Sequence, residues 1–369
     1  MLMKDYILQA HKVALDNIEK KEQLVGALVD QYCDLKPERL WIVASGSSYN
    51  STLCALPLLN HYLGDRVRLV APFTFASYEH EKVKSDDLVF VVSQSGFSTN
   101  AIEALEILKG KNIKRIGITG NVESDFKHHT DLIVDYGSQI EEVHYVTQGV
   151  TTLVVFWFVF ALEASKRLNQ ITEEDYQKVM DEIKTILKKH PEIIETSDKF
   201  IDTHFINLLS SQIAYFCGTG SNYGTAVEGA LKFSETVHIP CLPLETEEYI
   251  HGPNLQLSPQ YSIFLLANGD HTNERVCTIF EATREVTNKV YLFASEACGI
   301  EDDRIMLVPK HTELLNPLVF LPVVQTLTSR VYSYLERKQH PLLNKFKEIA
   351  KSKTANYVED DGAVTVHEA

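Results

Sequence analysis

The sequence predicts an α/β protein of two similar lobes, each a doubly wound parallel sheet, related by internal duplication. Two observations predict it. Short apolar runs alternate with helix-length segments, as in VVSQSGFSTNAIEALEILKGKNIKRIGITG, and that βαβ rhythm builds a parallel sheet covered by helices. Strand candidates also recur at one spacing: Gly46 with Gly220, Ser93 with Ala267, Ile116 with Val290 and Val134 with Val308, each 174 residues apart and without a gap. Chance aligns one such pair, whereas four in register argue for duplication.

Taken in order, residues 1–40 form an N-terminal helical segment. MLMKDYILQAHKVALDNIEK is amphipathic with charges throughout, unlike a secretory leader. The first lobe spans 41–170. Within it WIVASGSSYN and LVFVVSQSGFST each read as strand, Gly/Ser turn and helix start. The most apolar run, Val150 to Ala164, falls short of a comfortable bilayer span and reads as a core helix. A polar helical linker covers 171–198. The join between lobes is expected between Asn169 and Ser197, with Pro191 marking a boundary. The second lobe spans 199–340 and opens with AYFCGTGSNYG, the counterpart of WIVASGSSYN. Residues 341–369 form a C-terminal tail.

Composition narrows the function. The chain has 369 residues, 44% hydrophobic and 23% charged, with a net charge of −15. That balance argues against wrapping nucleic acid, whose phosphates need Lys and Arg, and against docking on anionic membranes. A local pocket for a small anion remains compatible with it. Six cysteines (Cys33, Cys54, Cys217, Cys241, Cys277 and Cys298) lie far apart with no CxxC pair, so no metal site is expected. Several sit in apolar runs as small hydrophobes. A cytoplasmic location with reduced thiols is expected, with no cofactor.

The chemistry concentrates at strand ends. Helix N-termini there present unpaired N–H groups, hydroxyls add donors without bulk, and glycine lets the backbone come close, which together cradle a phosphate. Ser93, Ser95, Ser98 and Thr99 crowd around Gly96, and Ser47 and Ser48 follow Gly46. Ser and Thr cap helices often, but one cap explains one hydroxyl per turn. Two hydroxyl-rich turns converging on one dianion explain the rest, and they require no lysine. The second lobe has ANGD at the matching place, where Asp270 would repel phosphate, so the first lobe alone is expected to hold it.

The second lobe carries GTAVEGALKFSETVHIP, a helix with Glu228, Lys232 and Glu235 on one face. Two readings stand: a solvated ion-pair ladder, or part of a site, since the helix starts at the turn after a buried strand. His251, in a His-Gly-Pro turn, is likewise open to a structural or a catalytic reading.

SGSSYN, SQSGFST, EGALKFSE and YIHGP, in that order and spacing, resemble sugar isomerase (SIS) domains, whose lobes are flavodoxin-like. The likeness runs from about Trp41 to the C-terminus. It points in particular to the isomerase half of glucosamine-6-phosphate synthase and to enzymes that break down phosphorylated sugar-amines. The resemblance implies that Ser48, Ser93, Gln94, Ser95 and Ser98 hold a sugar 6-phosphate, with Ser47 beside them. It implies that Glu235 shuttles a proton between C1 and C2, with Lys232 in the same site. It also implies that His251 opens the sugar ring from across a homodimer interface. The tail, KEIAKSK, would close over the sugar with Ala350 and Lys351 at contact positions. Chemistry agrees: a carboxylate takes a proton beside an imine or carbonyl, a neutral His exchanges one with the ring oxygen, and the phosphate positions the reacting carbons.

The sequence departs from the synthase in three places. The residues before the first lobe have no Cys near the start to act as a glutaminase nucleophile, so amine release is expected over glutamine-fed synthesis. Gln148 stands where the synthase has Lys, and Phe97 where it has Glu. EEVHYVTQG looks more like the deglycases of lysine–sugar adducts. The expected activity is therefore deglycation of a fructoselysine or glucoselysine 6-phosphate by C1/C2 proton transfer and imine hydrolysis. The alternatives are a glucosamine-6-phosphate deaminase or aldose–ketose isomerase, and a non-catalytic sugar-phosphate sensor.

Overall fold

Apolar runs become strands and the segments between them helices, in the order the pattern predicts. The computed structural model describes residues 2–139, 141–143 and 145–357. Helices α1 (Met3–Glu19) and α2 (Lys21–Leu35) come first. Then β1 (Leu40–Val43), α3 (Ser47–Leu63), β2 (Val67–Val70), α4 (Pro72–Thr74), β3 (Leu88–Val92), α5 (Thr99–Gly110), β4 (Ile116–Thr119), α6 (Phe126–His129) and β5 (Leu132–Asp135) alternate. Helices α7 (Gln148–Arg167) and α8 (Glu173–Leu209) follow. The second round runs β6 (Ile213–Gly218), α9 (Ser221–Val237), β7 (Cys241–Leu244), α10 (Thr246–Ile250), β8 (Tyr261–Leu266), α11 (Asn273–Arg284), β9 (Val290–Ala294) and β10 (Ile305–Leu307). Helices α12 (Asn316–Leu335) and α13 (Leu343–Ala350) close the chain.

The chain divides into two compact units. One contains residues up to 52, 59–176 and those from 338 onward; the other contains 53–58 and 177–337. The first unit's sheet is parallel, ordered β2-β1-β3-β4-β5, and the second unit's is parallel, ordered β7-β6-β8-β9-β10. Each is the same doubly wound topology, with a crevice where strand order reverses beside the first strand. Two lobes of one topology bear out the duplication.

Strand pairing refines its spacing. Val43 lies opposite Val70 and Val91, and Cys217 opposite Leu244 and Leu265, each partner 174 residues further along. The fourth strand departs from this. Phe90 pairs with Ile116, but its counterpart Phe264 pairs with Tyr291, 175 beyond Ile116. The fifth departs the other way: Ile118 pairs with Val134 and Phe293 with Met306, 172 beyond Val134. The gapless spacing therefore holds over three strands only. A slip of one residue reverses which face every side chain takes, so burial fixes register while surface loops absorb insertions.

In the first unit Trp41, Val43, Val89 and Val91 pack on Ala101, Ala104, Leu105 and Leu108 of α5. On α7, Trp157 stacks on Phe90, with ring centroids 6.2 Å apart. Helix α7 has 20 residues, longer than the apolar run suggested, and by length and apolarity it and the segment Glu313–Leu335 both pass for membrane spans. Their apolar windows are 94% and 89% buried, so burial rather than length supports the core-helix reading. In the second unit Tyr215, Cys217, Ile263 and Leu265 pack on Val276, Ile279 and Phe280. Pro191 marks no boundary: it lies inside the continuous helix α8, and the units part between Tyr176 and Gln177.

Candidate functional site

The hydroxyl-rich turns of the first unit meet at one cavity of about 290 Å³. Ser47, Ser48, Ser93, Gln94, Ser95 and Ser98 all line it, as do Ser45, Gly46, Asn100, Val146, Ser352 and Lys353. Gly46 takes φ +56° and releases the chain from β1 into α3, a helix of 17 residues. Gly96, at φ +69°, turns the chain between β3 and the 12-residue α5. A Cβ there would meet Ser124 Oγ at 1.8 Å, so only glycine fits.

The hydroxyls do not serve as caps. Ser98 occupies the N-cap position of α5, yet its side chain makes no cap bond. Ser93 Oγ instead donates to Ser98 Oγ at 3.1 Å, and the Gly96 N–H donates to Ser93 Oγ at 3.2 Å. The Phe97 N–H donates to Ser95 Oγ at 3.4 Å. The second unit's counterpart of the Gly46–Ser48 turn uses its hydroxyl internally: Ser221 Oγ donates to the Glu313 carbonyl at 2.6 Å and accepts from Asn316 Nδ2 at 2.9 Å. Asp270 lies in the other turn, after β8, at the place that Gly96 takes in the first unit. Burial alone would raise its carboxyl, but hydrogen bonds from Thr272 hold it below the ordinary value.

The expectation that the cavity needs no lysine is corrected. Lys353 Nζ donates to Ser95 Oγ at 2.7 Å and to Ser98 Oγ at 3.2 Å. The tail reaches it through backbone pairing: Lys353 bridges antiparallel to Ser98, the Thr99 N–H donates to the Ser352 carbonyl at 3.2 Å, and the Thr354 N–H donates to the Phe97 carbonyl at 3.0 Å. Phe97 and Tyr357 pack at 5.6 Å. Ala350 and Lys351 do not line the cavity. Ala350 ends α13, and Lys351 offers its carbonyl to Thr99 Oγ1 at 2.8 Å. The basic run KFKEIAKSK in an acidic chain was a signal for a tail cation, though not for which lysine. The remainder of the tail, 358–369, and His144 of the EEVHYVTQG run lie outside the described residues.

The second unit gathers its own set on α9. Lys232 Nζ lies 2.5 Å from Glu235 Oε1 and 3.5 Å from Glu228 Oε1. The Lys232 and Glu228 side chains are 1% and 0% exposed, whereas Glu235 is 33% exposed. This is no solvated ladder: a buried ammonium–carboxylate pair presents one half-exposed carboxylate. His251 follows α10 and is exposed. At the start of α7, Gln148 is buried and its Nε2 donates to the Ser138 carbonyl at 2.6 Å, while among the described residues its Oε1 has no partner. The Glu141 carboxylate accepts from the N–H groups of Thr147, Gln148 and Gly149, which caps that helix. Among the described residues no cluster of three or more metal-ligating side chains occurs.

Residues 35–162, which include every serine of the cavity except Ser352, match the SIS domain family. The chain carries a SIS domain. Glu235, His251 and Lys353 lie outside the matched residues. The glutamine–fructose-6-phosphate aminotransferase (isomerizing) of Chlorobaculum tepidum is 27% identical over 324 residues, which cover 85% of this chain and 51% of that protein. The chain thus spans about half the length of such relatives. A provisionally named phosphosugar isomerase of Clostridium difficile 630 has the same fold, with TM-score 0.87 and 21% identity over 96% of this chain and 100% of that one. So has the C-terminal domain of glucosamine-fructose-6-phosphate aminotransferase from Francisella tularensis, with TM-score 0.79 and 21% identity over 90% and 96%. The matched residues contain the whole sheet of the first unit.

Proposed function

We propose that the protein is a deglycase of 6-phosphorylated sugar–amine adducts of the fructoselysine or glucoselysine type. The observation that carries the reading is the cavity of the SIS domain, where six predicted residues and a lysine ammonium converge in the manner that suits a phosphate dianion. Ser47, Ser48, Ser93, Gln94, Ser95 and Ser98 hold the phosphate and so place C1 and C2. His251 exchanges a proton with the ring oxygen as the ring opens. Glu235, fixed by Lys232, takes the proton from one of the two carbons and returns it to the other, so that the amine becomes an imine. Water adds to the imine and the C–N bond breaks, giving hexose 6-phosphate and the free amine.

The departures at Gln148 and Phe97 support a substrate bulkier than an amino sugar, and the exposure of His251 supports its use by a second subunit of a homodimer. A cytoplasmic location belongs to the same reading. Plain aldose–ketose isomerisation is the competing reading, favoured by the name of the Clostridium difficile protein. Mass spectrometry of products from a panel of phosphorylated adducts, with glucosamine 6-phosphate and hexose 6-phosphates alongside, separates them. The deglycase reading expects free amine from a lysine adduct, lost in Glu235→Gln. Isomerised hexose phosphate with no amine release from any adduct overturns it.

A further inference from the structure

We propose that Lys353 is a phosphate ligand that makes the serine turn a donor-only site, and that anion binding and docking of the C-terminal tail therefore depend on each other. The inference rests on the phosphate reading of the cavity. It starts from hydroxyl capacity: a serine has one O–H to donate and two lone pairs to accept with. Ser95 Oγ accepts from Lys353 Nζ and from the Phe97 N–H. Ser98 Oγ accepts from Lys353 Nζ and from Ser93 Oγ. Both lone pairs of each oxygen are thus engaged, and among the described residues neither hydroxyl donates a hydrogen bond. What each retains is its proton, and a group that takes protons from both while facing an ammonium is an anion with several acceptor oxygens.

Lys353 does more than add charge. Without it Ser95 and Ser98 each regain a lone pair and the turn accepts as readily as it donates, which suits water or a sugar hydroxyl as well as phosphate. The lysine also arrives on a strap paired with the turn. Residues 351–354 pair with Phe97, Ser98 and Thr99 of the turn itself, so the strap is seated by the segment that binds the anion. The phosphate attracts the ammonium, and the seated strap presents it. Reciprocity between the two follows thermodynamically.

The test uses the full chain with inorganic phosphate, glucose 6-phosphate and glucose as titrants. Wild type is compared with Lys353→Met, Lys353→Gln, Lys353→Arg and the exposed control Lys345→Met. The expected result is a 10- to 100-fold weaker affinity, on the order of one charge-assisted contact, for both phosphates in the Met and Gln variants. Arg should recover part of it, and Lys345→Met should match wild type. Hydrogen exchange across 343–357 should slow on adding phosphate to wild type but not to Lys353→Met. Equal phosphate affinity in wild type and both neutral variants overturns the inference while leaving the phosphate site standing. Tighter binding in those variants makes the lysine a plug and also overturns it. Failure of wild type to bind either phosphate removes the site, and this inference with it.

Discussion

Lys232 holds Glu235 from inside the protein: the ammonium is 1% exposed, its 2.5 Å partner 33% exposed. Glu228, fully buried, lies 3.5 Å from the same nitrogen, so one buried ammonium fixes the position of both carboxylates. A carboxylate tethered to a buried cation is held in place, as the proposed proton transfer between adjacent carbons requires.

The two carboxylates should therefore separate stability from turnover. Glu235→Gln removes only the half-exposed partner, and its stability loss is expected to stay within about 1 kcal/mol while amine release falls by at least ~100-fold, the scale of general-base catalysis. Lys232→Met instead removes the buried ammonium that faces buried Glu228 and should cost about 3 kcal/mol or more. Urea denaturation read beside turnover checks both. Comparable stability losses in the two variants would contradict the division of roles.

Ser98→Ala distinguishes a phosphate ligand from a helix cap. A cap serine replaced by alanine costs about 0.5–2 kcal/mol. The Ser98 hydroxyl makes no cap bond but accepts from Ser93 and Lys353, so a loss of about 1 kcal/mol in urea denaturation is expected on either reading and affinity decides between them. Phosphate affinity, measured by titration calorimetry, should fall about tenfold. A stability loss with unchanged affinity would return the residue to a capping role.

What was legible in the sequence followed from short-range rules. The first three strands of each lobe kept one spacing because uninterrupted apolar runs mark them, and Ser93, Ser95, Ser98 and Thr99 stood out because four hydroxyls exceed what one cap needs. The fourth and fifth strands drifted because register is set by pairing, as Phe264 with Tyr291 shows, and loop length leaves no trace in the apolar pattern. Lys353 was hidden for a related reason. It reaches Ser98 across 255 residues by a single antiparallel bridge, and local periodicity carries no information about such a contact.

The shared-site reading of His251 is open to complementation. If the histidine serves a neighbouring subunit, Glu235→Gln and His251→Asn chains should each be inactive alone and regain roughly a quarter of wild-type activity after subunit exchange, the fraction set by random pairing of two chains in a two-fold dimer. Native mass spectrometry verifies the exchange. Mixed dimers without activity would place His251 and Glu235 in one chain's own site.

The two turn glycines should respond differently to the same change. Both sit at positive φ, which costs an alanine about 1–3 kcal/mol. At Gly46 a Cβ meets nothing within 4 Å, so Gly46→Ala should lose about that much and no more. At Gly96 the Cβ also collides with Ser124 Oγ at 1.8 Å and Thr119 Oγ1 at 3.0 Å. Gly96→Ala should lose more than about 3 kcal/mol, with phosphate binding abolished as the turn shifts. Urea denaturation of both variants provides the comparison.

Asp302 gives a pH dependence with a definite sign. Arg304 donates to its carboxylate at 2.6 and 2.8 Å and through its backbone N–H at 2.9 Å, and Arg284 Nη1 donates at 3.2 Å. These bonds, Arg304's foremost, bring the carboxyl down to about 2 despite burial, and the side chain is 8% exposed. Unfolded, an aspartate titrates near 3.9. A folded value below the unfolded one means the unfolded chain takes up protons first, so the stabilisation is complete above about pH 5 and fades as pH falls through 4 towards 2. Asp302→Asn should therefore be less stable than wild type by about 2 kcal/mol at pH 6, with the gap narrowing steadily on acidification. Urea denaturation of both proteins at pH 6, 4 and 3 measures it, and a gap that stays constant across that range would mean the Arg304 contact contributes nothing through ionisation.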